Sequence, residues 1–362
     1  MRILHIYTSM SLGGVEAMIC NLANEMVKTE EVSVCSIFKP KEDDVFWNKL
    51  SSKICRLSIG KLKPGFSIVE IFKIYTLIKA KKFDVVNIHG YFYYYMFTIF
   101  FLHNKVKFFY TVHSDAKKEN IGWDTIFFIW KKLFFKLKWL KPITISETSK
   151  KSFSYLYGLD SKLIYNGISK PKMADIDVLK QYRITSKTKL FIHAGRISPE
   201  KNQIILCKAF KAIIERGDDV VLLIAGNIQS AEIFNIIEKY LSDRIIYIGE
   251  RNDIPQLMSL CEAMCLPSLW EGLPVTLLEA LSVGCIPICT PVGGIPDVIT
   301  NGINGVLSLN TSEKDYYEAL NCFLALSDES RTIIKENCVK SFDNFDITKC
   351  TQDYLSYYKQ CT

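Results

Sequence analysis

The feature that most constrains this chain is an alternation of strand-like and helix-like segments that runs through it twice. In the first half, short apolar runs at 3–7, 32–38, 85–89, 107–111, 143–145 and 162–165 read as strands. Helical patterns lie between most of them, most plainly Val15, Met18, Ile19, Leu22 and Met26 on one face. The second half repeats the plan, with strand runs at 190–193, 220–225, 245–248, 263–266, 286–289 and 306–307. Strands separated by helices pair in parallel and carry helices on both faces of the sheet. The expected class is therefore α/β, with two doubly wound Rossmann-like domains. The length of 362 residues suits two such cores better than one.

The break between them is expected in the stretch 169–184, which holds Pro171, mixed polar residues and no strong period. That gives an N-terminal domain over 1–170 and a C-terminal domain over 171–345. A last helix over 346–362, with Tyr354, Leu355 and Tyr358 at helical spacing, is expected to pack back on the N-terminal domain. In open parallel sheets ligands bind beyond the carboxyl ends of the strands, so the expected site is a central cleft that both domains face.

Charge divides the same way. Residues 1–170 hold 26 Lys/Arg and 14 Asp/Glu, a balance of +12, whereas the remainder stands at −5. A basic first half fits an anionic partner, although a chain this rich in Ile, Lys, Asn, Phe and Tyr also gains lysines through composition alone. The twelve cysteines show no metal-ligand clustering; Cys261/Cys265 and Cys285/Cys289 read as buried apolar positions in a reducing cytosol. The opening MRILHIYTSM lacks the apolar core of a signal peptide, and the longest uncharged aromatic run, 91–102, has 12 residues, too few to span a bilayer.

Three loops could carry chemistry. After the first strand comes SLGGVE, where Gly13 and Gly14 let a backbone amide approach a ligand at a helix start. After the first strand of the second half comes GRISPEKN, which places Arg196 and Lys201 on one loop entering a helix. Arg forks two oxygens and Lys acts as a point charge, so the pair suits a diphosphate. The richest segment is SLWEGLPVTLLEA, 268–280. It follows a strand, turns at Gly272, and is expected to start a helix at Pro274, with Gly272 and Leu273 counted among the donor-binding residues. The amides of Val275 and Thr276 are then helix-start donors suited to phosphate oxygens. Glu271 and Glu279 flank that anion site. Two carboxylates there are costly unless they accept from hydroxyls, and sugar hydroxyls are the natural donors. A capping role for Glu271, a solvent-facing Glu279 and a merely solvated basic loop are the plain alternatives.

Taken in order, GGVE, TVHS, SETSK, IYNGI, GRISPEKN, the E-x(7)-E run EGLPVTLLE and PVGGIPDVI resemble the retaining GT-B glycosyltransferases of the large family 4, which includes sucrose and sucrose-phosphate synthases and bacterial polysaccharide enzymes. The resemblance spans nearly the whole chain. It implies that Glu271 holds the transferred sugar, Glu279 the ribose, and Arg196 with Lys201 the departing diphosphate. It also implies that Gly14 presents its amide to phosphate, that His113 hydrogen-bonds a donor hydroxyl, and that Arg251 in GERND flanks the base. His89, which also ends a strand, is a weaker candidate on the acceptor side. The implied activity is transfer of a hexose or N-acetylhexosamine from a nucleotide-diphosphate sugar to a glycan or a polyprenyl-diphosphate-linked acceptor, in surface polysaccharide assembly. UDP is the commonest nucleotide in the family, with GDP-mannose open.

No cofactor, metal or nucleic-acid partner is expected. The one Asp-x-Asp, Asp175-Ile176-Asp177, falls in the linker. The run from Ile126 to Lys141, IFFIWKKLFFKLKWLK, interleaves apolar residues with Lys131, Lys132, Lys136, Lys138 and Lys141, and would suit a peripheral position on the anionic cytoplasmic membrane face. The competing readings are a sugar-nucleotide 2-epimerase of the same fold and a nucleotide-binding module without activity. A nicotinamide dehydrogenase is disfavoured because no convincing GxGxxG follows the first strand.

Overall fold

The computed structural model describes all residues except 12, 64, 120–122, 172–175 and 362, and only the backbone of 123 and 176–178. Leu12 of the first loop and Asp175 of the linker Asp-x-Asp thus lie outside the described residues, as does part of the expected break. The chain forms two compact units, Met1–Ser169 with Phe345–Thr362, and Lys170–Asn344.

The first unit holds seven strands: β1 (Arg2–Tyr7), β2 (Glu31–Phe38), β3 (Cys55–Lys61), β4 (Val85–Ile88), β5 (Lys107–Val112), β6 (Leu140–Thr144) and β7 (Lys162–Leu163). They pair in parallel in the order β3-β2-β1-β4-β5-β6-β7. Alternate residues of β1 serve opposite faces. Leu4 and Ile6 pack with Val86, Ile88, Phe108 and Tyr110. Ile3 packs on the other face beneath Met18, Ile19, Leu22 and Met26 of the helix Gly14–Met26. The closing helix Ile347–Cys361 completes that second layer, with Tyr354 and Tyr358 fully buried in it.

β3 was not expected. It is an edge strand whose residues are mostly exposed, so its sequence CRLSIGK lacks the apolar run that betrays a central strand.

The second unit holds β8 (Lys189–Ala194), β9 (Val220–Ala225), β10 (Ile245–Tyr247), β11 (Ala263–Leu266), β12 (Ile286–Cys289) and β13 (Val306–Leu307), all parallel, in the order β10-β9-β8-β11-β12-β13. Cys261, Cys265, Cys285 and Cys289 are buried in this core. In each unit the strand order reverses beside the first strand, between β1 and β4 and between β8 and β11. Loops that leave such a switch point diverge and leave room for a ligand.

The run from Ile126 to Lys141 is not one amphipathic helix. It comprises the end of a short turn of helix, Trp123–Ile126, the helix Phe128–Lys136, and the start of β6. Lys131 is not on the outer face: it is 1% exposed, with its ammonium 4.1 Å from the centre of the Tyr110 ring. Asp124 and Glu119 offset part of the cost of burying that charge. Lys141 lies half-buried in β6, its ammonium 5.5 Å from the Phe109 ring centre.

Candidate active site

The second unit brings Arg196, Lys201 and Glu271 to the β8/β11 switch point, whereas Arg251 lies in the loop after β10. β8 ends at Ala194, and the following loop turns through Gly195 into a short 3-10 segment, Pro199–Lys201. Asn202 then takes a left-handed conformation, φ 55°, and its amide side chain donates to the carbonyl of Pro267 at 3.2 Å. The amide of Leu269 donates to the carbonyl of Glu200 at 2.8 Å. These two bonds lash the GRISPEKN loop to the loop after β11.

Across that seam the ammonium of Lys201 lies 2.6 Å from Oε1 of Glu271. Ser268 donates its hydroxyl to the same oxygen at 2.7 Å. Glu271 is 10% exposed at its side chain, so the charge is held by defined partners rather than by bulk water. Oε2 accepts no hydrogen bond from the described residues and is not sealed in the core. Ser268 stands three residues before Glu271; that spacing was visible in sequence, but the hydroxyl was not assigned.

The backbone of Glu271 is gripped from behind. Gly293 has φ 59°, and a Cβ there would meet Glu271 C at 2.7 Å and Gly272 O at 2.9 Å. Gly294 donates its amide to the carbonyl of Gly272 at 2.6 Å. Gly293 therefore lets the two loops touch where any side chain would clash. The helix begins at Val275, one residue later than expected, with Pro274 as its N-cap. The amides of Val275 and Thr276 have no carbonyl a full turn behind them in the helix. Leu273 is buried, Thr276 and Glu279 half-buried.

Arg196 is half exposed, 3.5 Å from Glu200. Behind it the fully buried His193 bonds the carbonyl of Cys265 through Nδ1 at 2.9 Å, and burial lowers it from 6.5 to about 4. Arg251 forks onto Asp253, with bonds of 2.9 and 2.6 Å. The aspartate holds the guanidinium in one orientation and raises its pKa.

In the first unit, Gly13 caps the helix Gly14–Met26, and the space beside Gly14 is open. His113 follows β5. Its backbone amide and that of Ser114 donate to Oε1 of Glu119, at 2.5 and 2.9 Å. Burial pushes Glu119 up to about 7 against the pull of Lys131. Nothing in the sequence around Glu119 marks it for this task. His89 does not face outward as an acceptor-side candidate. It is buried between His5 and His113, because β4 lies between β1 and β5.

Two doubly wound parallel-sheet units in one chain are the architecture of the GT-B class. Two family models match, described as "Glycosyltransferase Family 4" over residues 12–170 and "Glycosyl transferases group 1" over residues 176–340. This chain belongs to the GT-B glycosyltransferases of family 4. An Escherichia coli relative, UDP-Gal:alpha-D-GlcNAc-diphosphoundecaprenol alpha-1,3-galactosyltransferase, is 26% identical over 332 residues, covering 82% of this chain and 79% of that protein. Among solved structures, HepE from Anabaena in complex with UDP superposes with TM-score 0.79 at 20% identity, covering 99% of this chain and 100% of the other. Sucrose-phosphate synthase from Thermosynechococcus elongatus gives 0.81 at 15% identity, covering 100% and 99%.

Proposed function

We propose that this glycosyltransferase moves a hexose or N-acetylhexosamine from a UDP-sugar, with retention of anomeric configuration, to a polyprenyl-diphosphate-linked acceptor in surface polysaccharide assembly. The observation that carries the reading is Glu271: one carboxylate oxygen is tied to Lys201 and Ser268, and the other is left for donors such as sugar hydroxyls. The donor nucleotide and the lipid diphosphate are taken from the Escherichia coli relative, which carries UDP-Gal and an undecaprenol diphosphate in its name.

In this reading Lys201 keeps two ammonium hydrogens for the diphosphate, and Arg196 adds a fork. Gly14 and the amides of Val275 and Thr276 meet phosphate oxygens. Glu279 takes the ribose, and Arg251 flanks the base. The bond from the anomeric carbon to the β-phosphate oxygen breaks as the acceptor hydroxyl attacks from the same face. The acceptor's proton passes to the departing phosphate, whose growing charge Lys201 and Arg196 stabilise most. These groups supply the positive charge a bound cation would otherwise bring, so turnover persists in a chelator. The enzyme works at the cytoplasmic membrane face as a peripheral protein.

The test is direct. The protein is screened by thermal shift against UDP-glucose, UDP-galactose, UDP-N-acetylglucosamine and GDP-mannose. The donor that stabilises it is then incubated with a synthetic sugar-diphosphate-polyprenol, and the product linkage is read by NMR. An inverted linkage sinks the retaining mechanism. Conversion of the donor to its 2-epimer without acceptor sinks transfer altogether.

A further inference from the structure

Three histidines on neighbouring strands of the first unit form one hydrogen-bonded line that ends on a thioether. His113 Nε2 lies 2.9 Å from His89 Nδ1, His89 Nε2 lies 3.1 Å from His5 Nδ1, and His5 Nε2 lies 3.4 Å from the sulfur of Met26. The rings overlap loosely, with centroids 5.1 and 5.4 Å apart. His5 and His89 are fully buried, and Met26 closes the helix Gly14–Met26 above them.

A thioether sulfur accepts and cannot donate. The proton between His5 and Met26 must therefore sit on His5 Nε2. A neutral imidazole carries one ring proton, so His5 Nδ1 is an acceptor and His89 must donate to it from Nε2. By the same step His89 Nδ1 accepts, and His113 donates from Nε2. Each link fixes the next, and the last ring is left with a bare Nδ1. That nitrogen makes no hydrogen bond among the described residues. Burial disfavours a charged ring anywhere in the line, which keeps the one-proton count valid.

We propose that His89, His5 and Met26 are positioning residues that lock His113 in its Nε2–H tautomer, so that Nδ1 faces the donor sugar as a hydrogen-bond acceptor for one of its hydroxyls. This rests on the reading of His113 as part of the donor site. It adds that the ring's polarity is set from Met26, three hydrogen bonds away.

The experiment uses the full chain labelled with 15N-histidine and two-bond proton–nitrogen spectra at pH 7. The expected result is that His5, His89 and His113 all show the Nε2–H pattern. In His5→Phe, His89 loses its acceptor and the His113 signal moves to a mixture of tautomers. His5→Gln, which offers both an amide donor and a carbonyl acceptor, returns it. Met26→Leu removes only the sulfur, preserves core volume and gives the same mixture, so the test survives if His5→Phe fails to fold. kcat/KM for the donor falls roughly tenfold in His5→Phe and Met26→Leu, the scale of one hydrogen bond, and recovers in His5→Gln. A wild-type His113 protonated at Nδ1, or one unchanged in both His5→Phe and Met26→Leu, overturns the relay. Titration with the stabilising UDP-sugar is expected to move the Nδ1 resonance of His113. If the tautomers are as stated and no UDP-sugar moves that resonance, it is the donor-site reading of His113 that falls.

Discussion

The ammonium of Lys201 and the carboxylate of Glu271 form a 2.6 Å ion pair across 70 residues of chain, with side chains only 13% and 10% exposed. Each holds the other in place, so removing either has two effects that separate experimentally. Lys201→Ala leaves Glu271 bound by Ser268 alone and lowers turnover about 100-fold or more, the scale of a lost anion-stabilising donor. It also destabilises the protein by roughly 1–3 kcal/mol, because a largely buried carboxylate loses one of its two donors. The double variant Lys201→Ala, Glu271→Gln recovers most of that stability and none of the turnover, and with the single variants Lys201→Ala and Glu271→Gln it closes a cycle. Urea unfolding and steady-state kinetics on the four proteins of this cycle check it; retained turnover in Lys201→Ala would sink the phosphate role.

Gly293 and Gly14 should respond in opposite ways to an added Cβ. At Gly293 the backbone is left-handed and a Cβ would run into the main chain of Glu271 and Gly272. Gly293→Ala is therefore expected to cost roughly 1–3 kcal/mol and to displace Glu271, so activity and melting temperature fall together. At Gly14 a Cβ meets nothing within 4 Å. Gly14→Ala should keep or raise the melting temperature, since Ala is the better helix former. Any loss there appears as weaker donor binding, measured by calorimetry with UDP.

The helices and central strands of both units were legible in the sequence because buried parallel strands are continuous apolar runs, as in VVLLIA of β9. β3 escaped because an edge strand has too little to bury. In the site, Glu271, Glu279 and the Arg196–Lys201 loop could be picked out by their local setting. The Lys201–Glu271 pair could not, since its members are brought together only by the β8/β11 adjacency. Lys131 illustrates the limit most clearly. In KKLFFKLK, one lysine turned inward gives the same letters as one turned outward, and only the places of Tyr110, Asp124 and Glu119 in the fold decide between them.

Acid should weaken the fold before it protonates ordinary carboxylates. Burial lowers His5 and His193 from 6.5 to about 4 and His113 to about 3, and His89 lies well below its ordinary value. These histidines take up protons when unfolded and not when folded, so stability is full above pH 6.5 and is lost as pH falls towards 4. Glu119 acts with the opposite sign. Raised from 4.5 to about 7, it holds a proton when folded that the unfolded chain releases, so its contribution declines as pH rises from 4.5 to 7. Four histidines outweigh one glutamate, so the melting temperature should rise from pH 4 to about 6.5 and then level. Glu119→Gln removes the offset and steepens the rise. A flat profile in the parent protein would contradict the buried neutral histidines.

Lys131 is too deeply buried to take part in membrane contact. Along the helix Phe128–Lys136 and its flanks, Ile126, Ile129, Trp130, Leu133 and Leu137 are exposed, at 64%, 77%, 48%, 38% and 45%, beside the exposed Lys132, Lys136 and Lys138. Among the described residues no helix is long and apolar enough to cross a membrane. Contact at the surface would place these apolar residues in the headgroup layer and the lysines against anionic phosphates. Each such lysine is worth about 1 kcal/mol near an anionic surface. Reversing Lys132, Lys136 and Lys138 to Glu should therefore cut co-sedimentation with phosphatidylserine or phosphatidylglycerol vesicles by tenfold or more. Ile129→Ser with Trp130→Ser should reduce binding even where the charge is kept. Lys131→Met should leave vesicle binding unchanged while altering stability, because its ammonium faces Tyr110 and the buried acids rather than solvent. Equal pelleting of the parent and the triple charge reversal would remove the membrane from the proposal and leave a soluble acceptor in its place.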